Sequence, residues 1–287
     1  MKNSFSFIVA FLLTLILSFN VFAASGYLFT GPSTFWIAPK VYNKTLYGAY
    51  NASSTWHITQ WGSPGANMPA FSSNMTAGCC EGIVLGAGNS YTINQVTYAN
   101  PALACGAEFD SFAEVNDPGT YPGYPSGHVT VSPTLQNMNS LGLNISLIIQ
   151  HMDVVDNKCQ INQNSQMIAI VLQNKVKGQV LFYQIELGGY YNRSGLPKQF
   201  WWSTTSPFGY TETAAIGYNT PQAVPGIKRI FNLNILPNLK RIIASSPASM
   251  DKNLNDWIVS STYHGSAVWG HMSVSANWSN FSLIWNN

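Results

Sequence analysis

Residues 104–115 read ACGAEFDSFAEV. The 287-residue chain has only 11 acidic residues, yet Glu108, Asp110 and Glu114 fall within this one short stretch, an even number of positions apart. Successive side chains of an extended strand point to opposite faces, so residues i, i+2 and i+4 line one side. Read as a strand, 107–115 puts Glu108, Asp110, Phe112 and Glu114 on one face. Ala107, Phe109, Ser111, Ala113 and Val115, small or apolar for the most part, fall on the other and suit packing against a core. Neighbouring same-face residues have Cα atoms about 6.6 Å apart. At that spacing carboxylates repel, so one pKa rises while the other stays low.

The same alternation recurs along the chain, interrupted by Gly, Pro, Asn and Ser. It is read at 55–61 (TWHITQW), 90–98 (SYTINQVTY) and 126–133 (SGHVTVSP), and in longer runs at 143–155, 166–174, 178–187, 256–265 and 271–285. Many strands separated by turn residues predict an all-β sandwich or barrel. With long strands, many aromatics and few charges, the expectation is a two-sheet antiparallel jelly roll. One segment departs from the period of two. Leu236, Leu239, Ile242 and Ile243 repeat at helical spacing in 236–245, with Pro237 suited to a first turn, which predicts one short helix.

Composition narrows the class. Charged residues are 8% and aromatics 13%, the reverse of a disordered chain. A net charge of +2 without a Lys/Arg run offers no nucleic-acid surface. Residues 1–23 have a basic start at Lys2, an apolar run from Phe7 to Leu17 and a Val21-Phe22-Ala23 cleavage pattern. They read as a signal peptide ahead of a single domain over 24–287, with no membrane span after cleavage. The expected location is secreted or extracellular, or periplasmic in a bacterium. Four cysteines behind a leader suggest two disulfides. Adjacent Cys79 and Cys80 bond to each other only with strain, so they are expected to pair separately with Cys105 and Cys159, in either order. No pair has C-x-x-C spacing, and no zinc site is expected. No cofactor is expected either. A structural calcium at Asp153 and Asp156 is a metal reading that the residue types allow.

The segment EFDSFAE resembles the E-x-D-x-x-E strand of the family 16 glycoside hydrolases, laminarinase-like β-glucanases of the concanavalin A-like superfamily. CGAEFDSFAEV is also similar to the C-G-E-F-D-x-x-E-V segment of a fungal cell-wall glycosidase-like family. The resemblance covers about a dozen residues. It implies a concanavalin A-like jelly roll with Glu108 as nucleophile, Asp110 assisting and Glu114 as general acid/base. One extra residue, Ala113, precedes the last Glu. A regular strand then sets Glu108 and Glu114 roughly 20 Å apart, whereas a retaining pair needs carboxyls about 5–5.5 Å apart. Glu186, in FYQIELGG, is the substitute acid if its strand lies beside 107–115.

Aromatic rings stack on sugar C–H faces, so an exposed aromatic near these acids would hold a glycan. Phe112 shares their face. Trp201 and Trp202 are adjacent and cannot both point inward from a strand, and Tyr190 and Tyr191 pose the same choice beside Gly188 and Gly189. His264 and His271, seven apart, could act as a metal pair or supply a lyase base, but no Arg or Lys clusters with them to neutralise a uronate. The functional expectation is a carbohydrate-active protein, a glycoside hydrolase acting on a β-glucan-like polysaccharide. The alternative is a non-catalytic, lectin-like binding or surface-interaction module.

Overall fold

The computed structural model describes residues 24–32, 56–59, 82–85, 89–96, 105, 108–115, 132–156, 158–191 and 199–287. The leader expected at 1–23, Cys79, Cys80 and most of the strand expected at 126–133 lie outside the described residues. Ser132 and Pro133, the end of that stretch, are not in a strand.

The described residues form two sheets. The six-stranded sheet runs in the order β11 (Arg229–Asn234), β6 (Ser140–Val154), β13 (Met272–Asn286), β4 (Tyr91–Val96) and β3 (Gly82–Leu85), with β1 (Ser25–Thr30) also paired to β13. The seven-stranded sheet runs β2 (His57–Thr59), β5 (Glu108–Val115), β12 (Trp257–Trp269), β7 (Gln163–Asn174), β8 (Val180–Tyr191), β10 (Phe208–Thr213) and β9 (Gln199–Ser203). This is the two-sheet jelly-roll sandwich that the alternation predicts.

Two features differ from expectation. The seven-stranded sheet is mixed, because β10 runs parallel to β8 while β9 turns back antiparallel on β10. There are also two α-helices among the described residues, besides a 3₁₀ turn at Leu135–Asn137. The expected one is α2 (Leu236–Ala244), with Leu236, Leu239, Ile242 and Ile243 buried. The other, α1 (Ala214–Tyr218), is five residues long and is set by its ends. Thr213 Oγ1 accepts from the Ile216 amide, and Asn219 closes the helix in the left-handed conformation at φ 50°.

The main core lies between the sheets. Leu141, Leu143, Ile145 and Leu147 of β6 and Ala276 and Trp278 of β13 meet Ile168, Ile170 and Leu172 of β7 and Tyr183, Ile185 and Leu187 of β8. β5 contributes Ala113 and Val115 to this core. Its Phe112 belongs to a second, smaller cluster with Met167, Ala169, Val171, Tyr263 and Ala267, on the opposite face of the seven-stranded sheet. The two clusters identify which face of each strand is inner and which outer.

His264 is the least expected core residue. It is fully buried among the rings of Trp56, Tyr91, Trp278 and Phe281, with centroids 4.8–5.5 Å away. Neither ring nitrogen has a hydrogen-bond partner among the described residues. Desolvation by burial pushes its pKa down to about 3. The folded chain therefore keeps His264 neutral, while the unfolded chain protonates it below a pKa of about 6.5. Between those values the unfolded state binds one more proton, so stability falls by about 1.4 kcal/mol for each unit that the pH drops. We expect His264→Phe to remove this component. Urea unfolding at pH 7 and pH 4 should show a smaller loss of stability on acidification for the variant than for the parent chain, and an equal loss in both would refute the assignment.

Candidate functional site

The site is built on the outer face of the seven-stranded sheet. β12 pairs with β5 in one unbroken antiparallel register, Trp269 opposite Glu108, Ala267 opposite Asp110, Gly265 opposite Phe112 and Tyr263 opposite Glu114. Phe112, Ala267 and Tyr263 all belong to the outer cluster. Residues 108, 110, 112 and 114 are therefore the outer-face positions of β5. The register has no bulge, so Glu108 and Glu114 stand at opposite ends of the run, roughly 20 Å apart at Cα. The strand does not bring them together.

On the other side of β12, β7 places Gln163, Ser165, Met167 and Ala169 opposite Trp269, Ala267, Gly265 and Tyr263. β8 continues the same face with Glu186 opposite Met167, Gln184 opposite Ala169 and Phe182 opposite Val171. Glu186 thus shares the sheet face of the β5 acids but is not on an adjacent strand, since β12 and β7 lie between. These two middle strands carry small residues at Gly265, Ala267, Ser165 and Ala169, flanked by acidic positions on β5 and β8.

Glu186 is 7% exposed, and its Oε1 accepts a hydrogen bond of 2.9 Å from Gln222 Nε2. The loop carrying Gln222 is held to the sheet by the Ala223 amide, which donates to the Leu187 carbonyl at 2.7 Å. Gly188 makes that approach possible, because a Cβ there would lie 2.7 Å from the Ala223 carbonyl oxygen. Next to Glu186, Gln184 is fixed at both ends of its amide, accepting from Thr211 Oγ1 at 2.7 Å and donating to the Tyr263 hydroxyl at 2.8 Å. Ser165 Oγ and Gln163 Oε1 are buried on this face with no hydrogen-bond partner among the described residues.

The aromatic candidates divide. Trp202 is 46% exposed and lies over Gly209, where an added Cβ would come within 1.9 Å of its ring. Phe182 is beside it, with ring centroids 6.3 Å apart. Trp201 instead turns inward, packing on the main core with its ring 5.0 Å from Tyr210. Phe112 is 2% exposed and packs on Tyr263 at 4.9 Å, so it is a packing residue of the outer cluster rather than a presented platform. The small neighbours at 265 and 267 leave room for its ring to lie down on the sheet. A bulge at Leu187 reverses the alternation of β8, leaving Tyr190 opposite Asn164 and 37% exposed, and Tyr191 opposite Gln163.

The remaining candidates fall elsewhere. Cys105 bonds Cys159, with Cα atoms 5.1 Å apart, which corrects the expectation that each pairs with Cys79 or Cys80. The reason is topological. β5 and β7 flank β12 and both run antiparallel to it, so the residues preceding each emerge at the same end of the sheet. Asp156 accepts from the Lys158 amide at 3.1 Å and from His271 Nδ1 at 2.8 Å and forms an ion pair with Lys158 Nζ at 3.6 Å, so its carboxylate is engaged by its own protein. Asp153 is an exposed position of β6. His264 is in the core and His271 is beside the disulfide, and the two do not form a site.

One buried carboxylate has no counterpart in the sequence reading. Glu212 is 0% exposed on the inner side of β10. It accepts from Tyr183 Oη, Gln199 Nε2, Asn238 Nδ2 and Arg241, the last at 2.8 Å. Burial raises the Tyr183 pKa well above its usual value, which keeps that hydroxyl a donor. This carboxylate is saturated by its own protein and ties β10 to α2.

No family model matches the chain, and no curated protein matches it. Solved structures do. A family 12 xyloglucanase from Bacillus licheniformis aligns over 91% of this chain and 98% of its own, with 13% identity and a TM-score of 0.48. The endoglucanase cel12A from Rhodothermus marinus aligns over 71% and 86%, with 10% identity and a TM-score of 0.44. The family 11 xylanase from Neocallimastix patriciarum aligns over 71% and 85%, with 10% identity and a TM-score of 0.43. These hydrolases belong to families 11 and 12, and the family 16 resemblance rests on the sequence motif of residues 108–114.

Proposed function

We propose that the outer face of the seven-stranded sheet binds a β-glucan-like polysaccharide and hydrolyses it. The supporting observation is that Glu186 and the acidic positions of β5 fall on one sheet face, separated by two strands whose outer residues include Gly265, Ala267, Ser165 and Ala169. Glycoside hydrolysis uses two carboxyl groups on either side of the scissile bond, one donating a proton and the other attacking or activating water.

In this reading Asp110 is the partner of Glu186. Its row meets β5 at Phe112, so Asp110 and Glu114 are each one residue pair away and Glu108 is two. The row through Glu114 crosses Tyr263, a large side chain bonded to Gln184, whereas the row through Asp110 crosses Ala267, Ser165 and Gly189. Asp110 and Glu186 are about 16 Å apart at Cα on a flat sheet, from three strand spacings and one residue pair. Glycosidase pairs work at carboxyl separations of about 5–9.5 Å, so this reading requires the two side chains to reach toward each other over Ala267 and Ser165. Glu108, the nucleophile implied by the motif, becomes the neighbour that tunes Asp110 by repulsion. Trp202, beside Phe182, is the platform on which a sugar ring stacks. The leader at 1–23 and the disulfide both suit an exported protein.

The test is release of reducing ends from β-glucans. Glu186→Gln and Asp110→Asn should each lower kcat by about 10²- to 10⁴-fold, while Glu114→Gln should retain most activity. Full activity in the first two variants would remove both residues from the mechanism. Glucan binding without release by the unaltered chain would instead support the lectin-like module.

Gly209→Ala tests the platform without deleting it. The new methyl group must displace the Trp202 ring, so glucan affinity should fall about two- to tenfold and tryptophan emission should shift. Unchanged affinity with a shifted emission would show that Trp202 is not where the sugar stacks.

A further inference from the structure

The disulfide corner contains more than a cross-link. Each sulfur of Cys105 and Cys159 and one ring nitrogen of His271 lie within 4.8 Å of one another. His271 is 7% exposed, its Nδ1 is held by Asp156 Oδ1 at 2.8 Å, and its Nε2 is buried without a hydrogen-bond partner among the described residues. A carboxylate on Nδ1 fixes that nitrogen as the N–H donor and leaves the Nε2 lone pair for another group.

The backbone around the corner is fastened independently of the disulfide. Asn162 bridges it, accepting from the His271 amide at 2.9 Å and donating to the Cys159 carbonyl at 3.0 Å. The His271 carbonyl accepts from the Val155 amide at 3.0 Å. Gly270 has φ +82°, and a Cβ there would lie 2.2 Å from the Ile161 carbonyl oxygen, so the turn presses directly on the Cys159–Asn162 segment. An imidazole with a buried, unpartnered Nε2 is thus held in place beside two sulfurs.

We propose that the reduced form of this corner is a zinc site, with Cys105, Cys159 and His271 Nε2 as ligands, Asp156 orienting the imidazole and water completing the tetrahedron. Reduction of the disulfide by a thiol or phosphine takes up two electrons and two protons and gives two thiols. Zn²⁺ then displaces both thiol protons and binds the two thiolates. Zinc takes Cys sulfur at about 2.3 Å and His nitrogen at about 2.0–2.1 Å, which places ligand atoms about 3.3–3.9 Å from one another in a tetrahedron. The three donor atoms already lie within 4.8 Å of one another, close to that spacing. Opening the S–S bond lets the sulfurs move apart to that separation. Disulfide and metal are then alternative fastenings of the same end of β5, β7 and β12.

The experiment uses the full chain carrying Cys79→Ser and Cys80→Ser, reduced with a phosphine and desalted without oxygen. It is titrated with Zn²⁺ by calorimetry and with Co²⁺ by absorption, which reports thiolate ligation. One metal ion per chain is expected, with a thiolate-to-cobalt band. Binding should be lost in Cys105→Ser/Cys159→Ser, should weaken strongly in His271→Ala and should weaken about 10- to 100-fold in Asp156→Asn. Should reduction unfold the chain, Zn²⁺ should restore its circular dichroism spectrum, but not in His271→Ala. The proposal is overturned if the reduced chain takes up no metal, if Zn²⁺ fails to refold it, or if affinity is unchanged in His271→Ala.

Discussion

The register of β12 is the constraint on which the rest depends. β12 is hydrogen-bonded to β5 on one side and β7 on the other, residue for residue from Thr262 to Trp269. A slip of one residue would exchange inner and outer faces of a strand entirely. That slip would send Glu108, Asp110 and Glu114 towards the apolar core, where an unpaired charge costs far more than one hydrogen bond returns. It would also turn Ala113 and Val115 out of the main core. The acidic alternation that makes the motif conspicuous is therefore part of what holds it in register. The same pairing brings Cys105 and Cys159 to one end of the sheet. Their bond closes a 54-residue separation, which by chain entropy stabilises the fold by about 4 kcal/mol.

Fixing the faces also separates two kinds of buried carboxylate. Glu212 and Glu186 are both nearly inaccessible, at 0% and 7% exposure. Glu212 faces inward and receives donors from β8, β9 and α2. Every one of these connects elements that must stay together, and Arg241 supplies the balancing charge. A carboxylate whose acceptor positions are taken up in this way has little left to offer a substrate. Glu186 faces the other way, on the outer side of β8, where the Gln222 amide donates to its Oε1.

How much of this can be read from the sequence depends on whether a feature is local. Strand β5 and helix α2 are legible because their periodicities, two and 3.6, are carried by consecutive residues. The outer-face run of Phe182, Gln184 and Glu186 is legible for the same reason. What the sequence does not show is which strands lie between two candidates. The bulge at Leu187 reverses the alternation of β8 before Tyr190, and the parallel insertion of β10 beside β8 sets Gly209, which lies under Trp202 of β9, opposite Phe182. The corner of Cys105, Asp156, Cys159 and His271 draws on three separate segments, so no spacing rule reveals it. The choice between Trp201 and Trp202 is local in form but is decided by which ring finds Tyr210 and the inner core.

The scarcity of acidic residues gives the outer face its significance. Of the 11 in the chain, Glu212 is bound within the fold. Asp251 is held by Asn174, the Asn253 amide and Lys177. Desolvation works to raise the Asp251 pKa, but these hydrogen bonds outweigh it and bring the value down to about 2. Asp156 is held by His271 and Lys158. Each of these has an evident structural partner, and together they fasten a helix, a turn and a disulfide corner. The four at 108, 110, 114 and 186 are distributed differently: they share one face of one sheet and lie to either side of two intervening strands. A sheet that needed only wetting on that face could use Ser, Thr and Asn, as β6 and β13 do at Asn144, Ser279 and Ser282. Placing several like charges on one sheet face instead adds mutual repulsion to the folded state. That cost is offset where the charges meet a ligand or a developing positive centre, such as the oxocarbenium-like transition state of glycoside cleavage.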